Sequence, residues 1–346
     1  MSFLYNPEKF DTIVESFQRT TLTDRLAIIS SDNPVITGDF AEDVMHGLTS
    51  NPKYLFPKYF YDSKGSELFE QITRLKEYYP TEIERSIIKS ISRNLPTLNS
   101  NISTIVEIGS GSSNKTQHII EAYSQVNDNV YYVPLDISDI IIESSKNLLK
   151  RFDNISIEGI ISEYENGLQI ASEVNDNPKL YLFLGSSIGN FTHEESIQFL
   201  NNLCSIMKED DRLLIGFDRI KDRSVLHNAY DDTKGITAKF NKNILERINI
   251  ELNADFDLGA FEHFVRFNEE KCRVEMHLVS NKLQTVNVAD LNLQIHFQKD
   301  ESIHTENSYK YSDKMINNLA NESGFEIEEN FADDLDYFSL CLFKTV

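Results

Sequence analysis

The chain has 346 residues, with 33 Lys and Arg against 55 Asp and Glu, for a formal net charge of −22. This length predicts two globular units, and 40% hydrophobic with 25% charged residues excludes a disordered composition. The acidic field repels phosphate backbones and anionic lipid, and no apolar run reaches the ~18 residues of a bilayer span, so neither nucleic acid nor membrane is expected as a partner.

The opening MSFLYNPEKFDTIVESF lacks the basic start and continuous apolar core of a signal peptide, so a cytoplasmic protein is expected. Residues 1–37 are polar and turn-rich and are read as a peripheral N-terminal arm. A helix is predicted over 38–49, with Asp39 or Asp43 near its start and Gly47 near its end. The spacing of Leu68, Phe69, Ile72 and Leu75 predicts a second helix stopped near Pro80, and a third follows from Thr81. From residue 103 short apolar runs alternate with helical stretches. Ser103–Ile108, Val130–Leu135, Ile155–Ile160, Leu180–Leu184 and Arg212–Phe217 read as strands, with a helix from Lys115 and another over 193–207. Such alternation predicts an α/β doubly wound, Rossmann-like sheet. It breaks after 220: residues 221–253 read as helical, and Phe261–Phe267, Arg273–Val279 and Leu291–Phe297 as strands without intervening helices. A helix over 313–322 and strands Phe325–Glu329 and Tyr337–Lys344 close the chain. The domain reading is a nucleotide-binding domain over 83–220 and 310–346, with an α+β substrate lobe from 38–82 and 221–309.

The sharpest local signal is VEIGSGSSNKT at 106–116, in which an apolar strand runs into Gly109-Ser110-Gly111 ahead of a helix. Glycines permit a tight turn and close backbone approach, and a helix N-terminus offers unpaired N–H groups. Asp136 follows 27 positions after Gly109, at the end of the next strand, where a carboxylate can accept both hydroxyls of a ribose. The plain structural alternatives are a tight strand–helix connection at the glycines and a cap by Asp136 on a helix beginning at Ser138. Asn114 stands where a dinucleotide motif has its third glycine, which disfavours NAD and favours S-adenosylmethionine, a cofactor with no pyrophosphate to seat. Eight histidines and three cysteines (Cys204, Cys272, Cys341) show no metal-ligand spacing, so no metal is expected.

Seven ordered segments, FYDSKGSELFEQITRLKEYYPTEIE, VEIGSGSSNKT, PLDIS, FLGSSIGNF, NAYDDTKGITAKFNKNIL, FEHFVRFNEEKCRVEMHL and IHTENSYKYS, resemble the histidine-specific Nα-methyltransferases of ergothioneine biosynthesis. The resemblance covers most of the chain from about residue 38. It implies a SAM-dependent methyltransferase fold and three methyl transfers to the α-amine of L-histidine, giving trimethylhistidine. It implies a cofactor site of Gly109, Gly111, Lys115 and Asp136, with Glu163 and the adjacent Tyr164 toward the adenine; the family usually has Asp at the Glu163 position. It implies that Asn190 and Tyr230 grip the amino and carboxylate groups, that Tyr78, Glu306 and Ser308 bind the imidazole with Met276 packed beside it, and that Tyr61 lies near the ring. Asn190, Tyr230 and Tyr61 would carry the chemistry, and the only partner implied is a small molecule on a monomeric enzyme.

Residue chemistry is consistent with these roles. An amide both accepts and donates, so Asn190 can read both ends of an amino acid, while a Tyr hydroxyl at 230 can donate to the carboxylate. Taken singly, Asn190 could instead occupy a left-handed turn, Met276 an ordinary core position, Tyr78 helix-end packing and Glu306 a solvated surface. Other readings on the same residues are an Nα-methyltransferase for an indole amino acid, ring methylation of a thiolated histidine, an NAD oxidoreductase and a non-catalytic adenosyl-binding module.

Overall fold

The computed structural model describes residues 17–31 and 40–346. Strands β1 (Phe17–Thr23) and β2 (Leu26–Ser31) are followed by α1 (Phe40–Thr49), a two-residue β3 (Lys53–Tyr54), α2 (Ser63–Ile72), α3 (Tyr79–Ile91) and a short α4 (Leu95–Leu98). Strict alternation then sets in: β4 (Thr104–Ile108), α5 (Gln117–Ser124), β5 (Val130–Asp136), α6 (Ile140–Arg151), β6 (Ile155–Ile161), α7 (Tyr164–Glu173), β7 (Lys179–Phe183), α8 (His193–Ile206) and β8 (Arg212–Asp218). Helices α9 (Arg223–Tyr230) and α10 (Ile236–Glu251) lead into β9 (Phe261–Asn268), β10 (Arg273–Ser280), β11 (Gln284–Val288), β12 (Leu293–Phe297) and β13 (Ser302–Tyr309). The chain ends with α11 (Asp313–Glu322), β14 (Phe325–Ala332) and β15 (Phe338–Thr345).

A nine-stranded sheet has the order β1-β2-β6-β5-β4-β7-β8-β15-β14. Strands β6, β5, β4, β7 and β8 are mutually parallel, and β15 and β14 are antiparallel to their neighbours. The chain winds from β4 toward β6, then returns to the other side of β4 with β7. The β4–β7 junction is therefore the topological switch point, and doubly wound sheets bind ligands beyond the carboxyl ends of the strands there. All five residues of β4 and all five of β7 are buried, as expected of central strands covered on both faces. One face packs Ile87, Ile88, Ile119, Ile120 and Leu148 from the helices, and the other packs Leu168, Phe199, Leu200, Ile316 and Leu319. A third apolar cluster draws Val44, Phe60 and Ile72 together with Phe240, Ile244, Met276 and Ile303. It sits against a separate four-stranded sheet of order β3-β13-β10-β9.

Several boundaries depart from the sequence reading. Pro80 does not stop a helix: α2 ends at Ile72, and Pro80 lies in the first turn of α3, where its missing N–H costs nothing. The stretch 221–253 is two helices, because the Asp232 carboxylate accepts from the amides of Lys234, Ile236 and Thr237 and starts α10 afresh. The helix after Asp136 begins at Ile140, not Ser138. The predicted start of the first helix at 38–39 lies outside the described residues, as do residues 1–16 and 32–37 of the expected arm.

Residues 17–31 correct the arm reading. Strand β2 pairs in parallel with β6, and β1 folds back on it as the sheet edge. Leu26, Ala27 and Ile28 are buried, and Arg25 donates to the carbonyls of Phe152 (3.0 Å) and Asp153 (2.8 Å) at the end of α6. Strand β1 is nearly all exposed and Thr-rich, so its composition resembles a loop while its β-branched residues suit an edge. Because Ile28 is core, Ile28→Ala should destabilise the protein by roughly 2–5 kcal/mol. Urea unfolding measures this; a change within about 0.5 kcal/mol, as for a surface site, would return residues 17–31 to the periphery.

Candidate active site

The glycine loop is shaped by its own backbone. Gly109 (φ +69°) and Gly111 (φ +48°) both occupy the left-handed region. The amides of Gly109 and Ser110 donate to the Leu135 carbonyl at 2.8 and 3.1 Å, which ties the loop to the end of β5. A Cβ at Gly109 would lie 2.8 Å from the Tyr164 hydroxyl, whereas one at Gly111 would meet nothing within 4 Å, so the loop is tight behind and open in front. Asp136 engages both neighbours: one oxygen accepts from Gly111 N (2.8 Å), and the other accepts from Ser138 N and Oγ (3.0 and 2.8 Å). It thus braces the loop and the following turn together. Behind it Glu107, buried in β4, accepts from Thr116 and Tyr132, and burial pushes its pKa up to about 7.

Lys115 points into the same cleft, where it is ion-paired with Glu84 of α3. Glu84 is fully buried, and its other oxygen accepts from Gly185 N at 2.7 Å. At the far end Glu163 precedes α7 and faces Lys58 (3.6 Å), which also contacts Asp43 (3.1 Å); burial raises the Glu163 pKa. Gly109, Gly111, Lys115, Asp136, Glu163 and Tyr164 therefore line one cleft. The hydroxyls of Ser110 and Ser162 on its wall are buried without a partner among the described residues. Open space before Gly111, a braced carboxylate and orphaned hydroxyls are the features an adenosyl group requires, and these residues fit one.

A second pocket opens from the cleft, and the two share Tyr61, Phe69, Tyr78, Gly185, Ser187 and Asn190. All seven residues expected around a substrate (Tyr61, Tyr78, Asn190, Tyr230, Met276, Glu306 and Ser308) line it. Asn190 comes from a turn after β7 in which Gly185 and Ser186, not Asn190, take positive φ, so the left-handed reading of Asn190 does not hold. This turn rests directly on β13: a Cβ at Gly189 would sit 2.9 Å from the Tyr309 carbonyl. Tyr61 packs edge-on against Phe69 and Phe240, and Tyr78 against Phe69 and Tyr230. Burial holds both phenols neutral, with pKa well above the ordinary tyrosine value.

Strand β13 reaches the pocket through a bulge. Met276 of β10 pairs with Glu306 but His277 pairs with His304, which leaves Thr305 unmatched. The bulge reverses the alternation, so Ile303 and Thr305 are buried on one phase, and Ser308 and Lys310 on the other. Glu306 thereby faces the pocket beside Met276. Burial pushes its pKa up to about 7 against the opposing pull of Lys310. Its carboxylate, the Asn190 amide and the Tyr61 and Tyr78 hydroxyls make no hydrogen bond with any described residue.

Tyr230 differs from expectation. Its O–H donates to Ser308 Oγ at 2.7 Å and its oxygen accepts from Lys310 at 2.9 Å, so it offers the pocket a lone pair rather than a proton. Beneath lies a group of charges that sequence reasoning missed. Asp218, at the end of β8 and 1% exposed, accepts from Tyr79 (2.8 Å) and pairs with Lys221 and with Lys310 (2.7 Å). Burial opposes the Asp218 charge, but the two lysines overcome it and hold the carboxyl below its usual range. Burial draws the Lys221 pKa down to about 8 against the attraction of Asp218. The signal for Asp218 was present, since it ends the apolar run LLIGF as Asp136 ends its own; Glu84 and Lys310 carried none. Among the described residues no His, Cys, Asp and Glu cluster could hold a metal.

The chain matches known proteins. The family profile described as "Histidine-specific methyltransferase, SAM-dependent" matches residues 40–345. The chain is 38% identical over 302 residues to the histidine N-alpha-methyltransferase of Mycobacterium tuberculosis, covering 87% of this chain and 93% of that one. It is 29% identical over 295 residues to the ergothioneine biosynthesis protein 1 of Schizosaccharomyces pombe, covering 82% of this chain and 38% of that one. It is 25% identical over 328 residues to the L-tryptophan methyltransferase of Psilocybe serbica, covering 86% and 90%. With a glycine loop, a strand-end carboxylate and an adjoining polar pocket in place, the chain belongs to the histidine-specific, S-adenosylmethionine-dependent methyltransferases.

Proposed function

We propose that this enzyme methylates the α-amine of L-histidine, three times in succession, to give trimethylhistidine. The observation that carries the reading is the set of unpaired polar groups, Glu306, Asn190, Tyr61 and Tyr78, converging on a pocket continuous with the cofactor cleft. Apolar walls from Phe69, Phe240 and Met276 suit a flat ring between them. Gly109, Gly111, Lys115 and Asp136 would hold the cofactor, with Glu163 and Tyr164 toward its adenine. The bound cofactor supplies a methyl group made electrophilic by its sulfonium.

Asn190 lies where pocket and cleft meet, so its amide can accept from the substrate amine and donate to the substrate carboxylate. The free lone pair of Tyr230 is a second acceptor for the amine. Between them they aim the nitrogen lone pair toward the cleft, and such orientation can lower a barrier by ~7–11 kcal/mol. The pocket phenols are held neutral, and the amine enters in its neutral form without a dedicated base. Each of the first two transfers leaves an ammonium that must lose a proton before the next; the third leaves a quaternary centre with none to lose. An indole substrate fits less well, because it has no second ring nitrogen for the Glu306–Ser308 pair.

Mass spectrometry of an assay with the cofactor and all twenty amino acids should give a histidine product heavier by three methyl increments; modification of another amino acid instead would overturn the substrate assignment. Asp136→Ala should weaken S-adenosylhomocysteine binding by roughly 1.5–3 kcal/mol while histidine binding changes much less, as titration calorimetry reads. An unchanged dissociation constant would leave Asp136 as a loop brace alone. The rate should rise from pH 6.5 toward 8–9 as an α-amine of pKa about 8 deprotonates, and a flat profile with chemistry rate-limiting would contradict capture of the neutral amine. Glu306 yields a stability test. Its folded pKa of about 7 exceeds the ordinary 4.5, so the folded state holds the proton more tightly and loses stability as pH rises between those values. Glu306→Gln should therefore match wild type near pH 5 and exceed it by roughly 1–3 kcal/mol at pH 8 in urea unfolding. Equal stability at pH 8 would place Glu306 in solvent.

A further inference from the structure

Lys310 is fully buried below the pocket, and its ammonium commits all three N–H donors: to Asp218 at 2.7 Å, Ser308 Oγ at 2.8 Å and Tyr230 at 2.9 Å. Ser308 Oγ also accepts from Tyr230 O–H at 2.7 Å. A serine hydroxyl has two acceptor lone pairs and one donor proton. Both lone pairs are filled, so the only capacity Ser308 retains toward a ligand is donation. Two residues away on the same strand face, the Glu306 carboxylate has no partner among the described residues and, when ionised, only accepts. The pocket floor therefore presents one donor and one acceptor in a fixed order.

Resting on the reading that a histidine ring occupies this pocket, we propose that Lys310 is a positioning residue that sets the polarity of ring recognition. It fixes Ser308 as a donor to the unprotonated ring nitrogen while Glu306 accepts from the other ring N–H, so the site selects a neutral imidazole in a single tautomer. The opposite arrangement, a protonated Glu306 donating and Ser308 accepting, is closed because Ser308 has no lone pair left. An imidazolium would point a second N–H at the Ser308 proton, with the Lys310 charge directly behind it. The surrounding groups are consistent with this polarity. Glu306 faces the pocket from β13 with Lys310 buried below it just past that strand, Asp218 lies at the end of β8 with Lys221 after it, and Tyr79 and Glu84 stand behind on α3. Tyr61, Tyr78 and Tyr230 contribute neutral phenols. Among the described residues lining the pocket, Glu306 is the carboxylate that no cation or donor already pairs.

The test is nitrogen NMR of ring-labelled L-histidine bound to the protein with S-adenosylhomocysteine, followed from pH 8 to below the free-ring pKa of about 6.5. Because the ring N–H donated to Glu306 favours its charged form in the complex, wild type should show one pyridine-like and one pyrrole-like nitrogen persisting at pH 6, and two equivalent protonated nitrogens at pH 6 would overturn the polarity. Lys310→Met frees a Ser308 lone pair and removes the opposing charge, so the bound ring should protonate at a pH higher by at least ~1 unit, a tenfold change in the equilibrium. Ser308→Ala leaves the buried charge pair intact, removes the donor and should shift the midpoint the same way, which keeps the test decisive if the lysine variant does not fold. A midpoint unmoved in Ser308→Ala, or in a folded Lys310→Met, overturns the proposal. Failure of histidine to bind the wild-type complex at all would bring down the substrate reading, and the proposal with it, whereas a bound imidazolium overturns the polarity alone.

Discussion

A carboxylate as deeply buried as Asp218 persists only if cations and donors surround it, because removing an ion from water costs several kcal/mol unless partners compensate. Its partners arrive from distant parts of the chain: Tyr79 from the start of α3, Lys221 from the loop after β8 and Lys310 from just beyond β13. The main chain adds to this, since Tyr311 N donates to the Asp218 carbonyl at 2.9 Å. Satisfying one charge therefore seats the end of β13 on the carboxyl end of β8. Glu306 and Ser308, a few residues earlier on β13, are thereby brought to the switch-point side of the sheet, where the cofactor cleft lies.

Helix α3 links the two halves of the site. Tyr78, the residue just before it, lines the pocket wall, Tyr79 in its first turn reaches Asp218, and further along Glu84 holds both Lys115 of the glycine loop and the Gly185 amide. A Cβ at Gly216 would stand 2.6 Å from the Glu84 carboxylate, so the strand beneath has been kept bare to admit it. One rigid element thus spaces the cofactor loop against the substrate pocket. For a transfer that depends on alignment, such support matters as much as the residues that touch the reactants.

Much of the sheet was legible from local pattern. Central strands buried on both faces are short apolar runs, and glycines followed by a helix mark the loop wherever they fall in sequence. Strand β1 escaped notice because an edge strand with solvent on both faces carries no hydrophobic alternation. Strand β13 escaped for another reason: its bulge shifts the buried phase in mid-strand, so SIHTENSY shows no constant period. The candidate site divides in the same way. The resemblance picked out the residues that line the cavity, and the cavity brings all seven substrate positions together. Glu84, Asp218, Lys221 and Lys310 stayed hidden because a charged residue looks the same in sequence whether it is solvated or buried.

What the sequence by itself determined is therefore local: the alternating sheet, the glycine turn, the strand-end carboxylate at Asp136 and, through ordered motifs, the family. Each depends on residues close together in the chain, where backbone conformation and apolar period leave a direct imprint. What only the tertiary structure decided is direction: that Thr305 bulges so that Glu306 faces inward, that Tyr230 presents a lone pair instead of a proton, and that Lys310 leaves Ser308 with nothing but a donor. Hydrogen-bond polarity follows from which partners fill which lone pairs, and here those partners lie 78 and 80 residues apart in the chain.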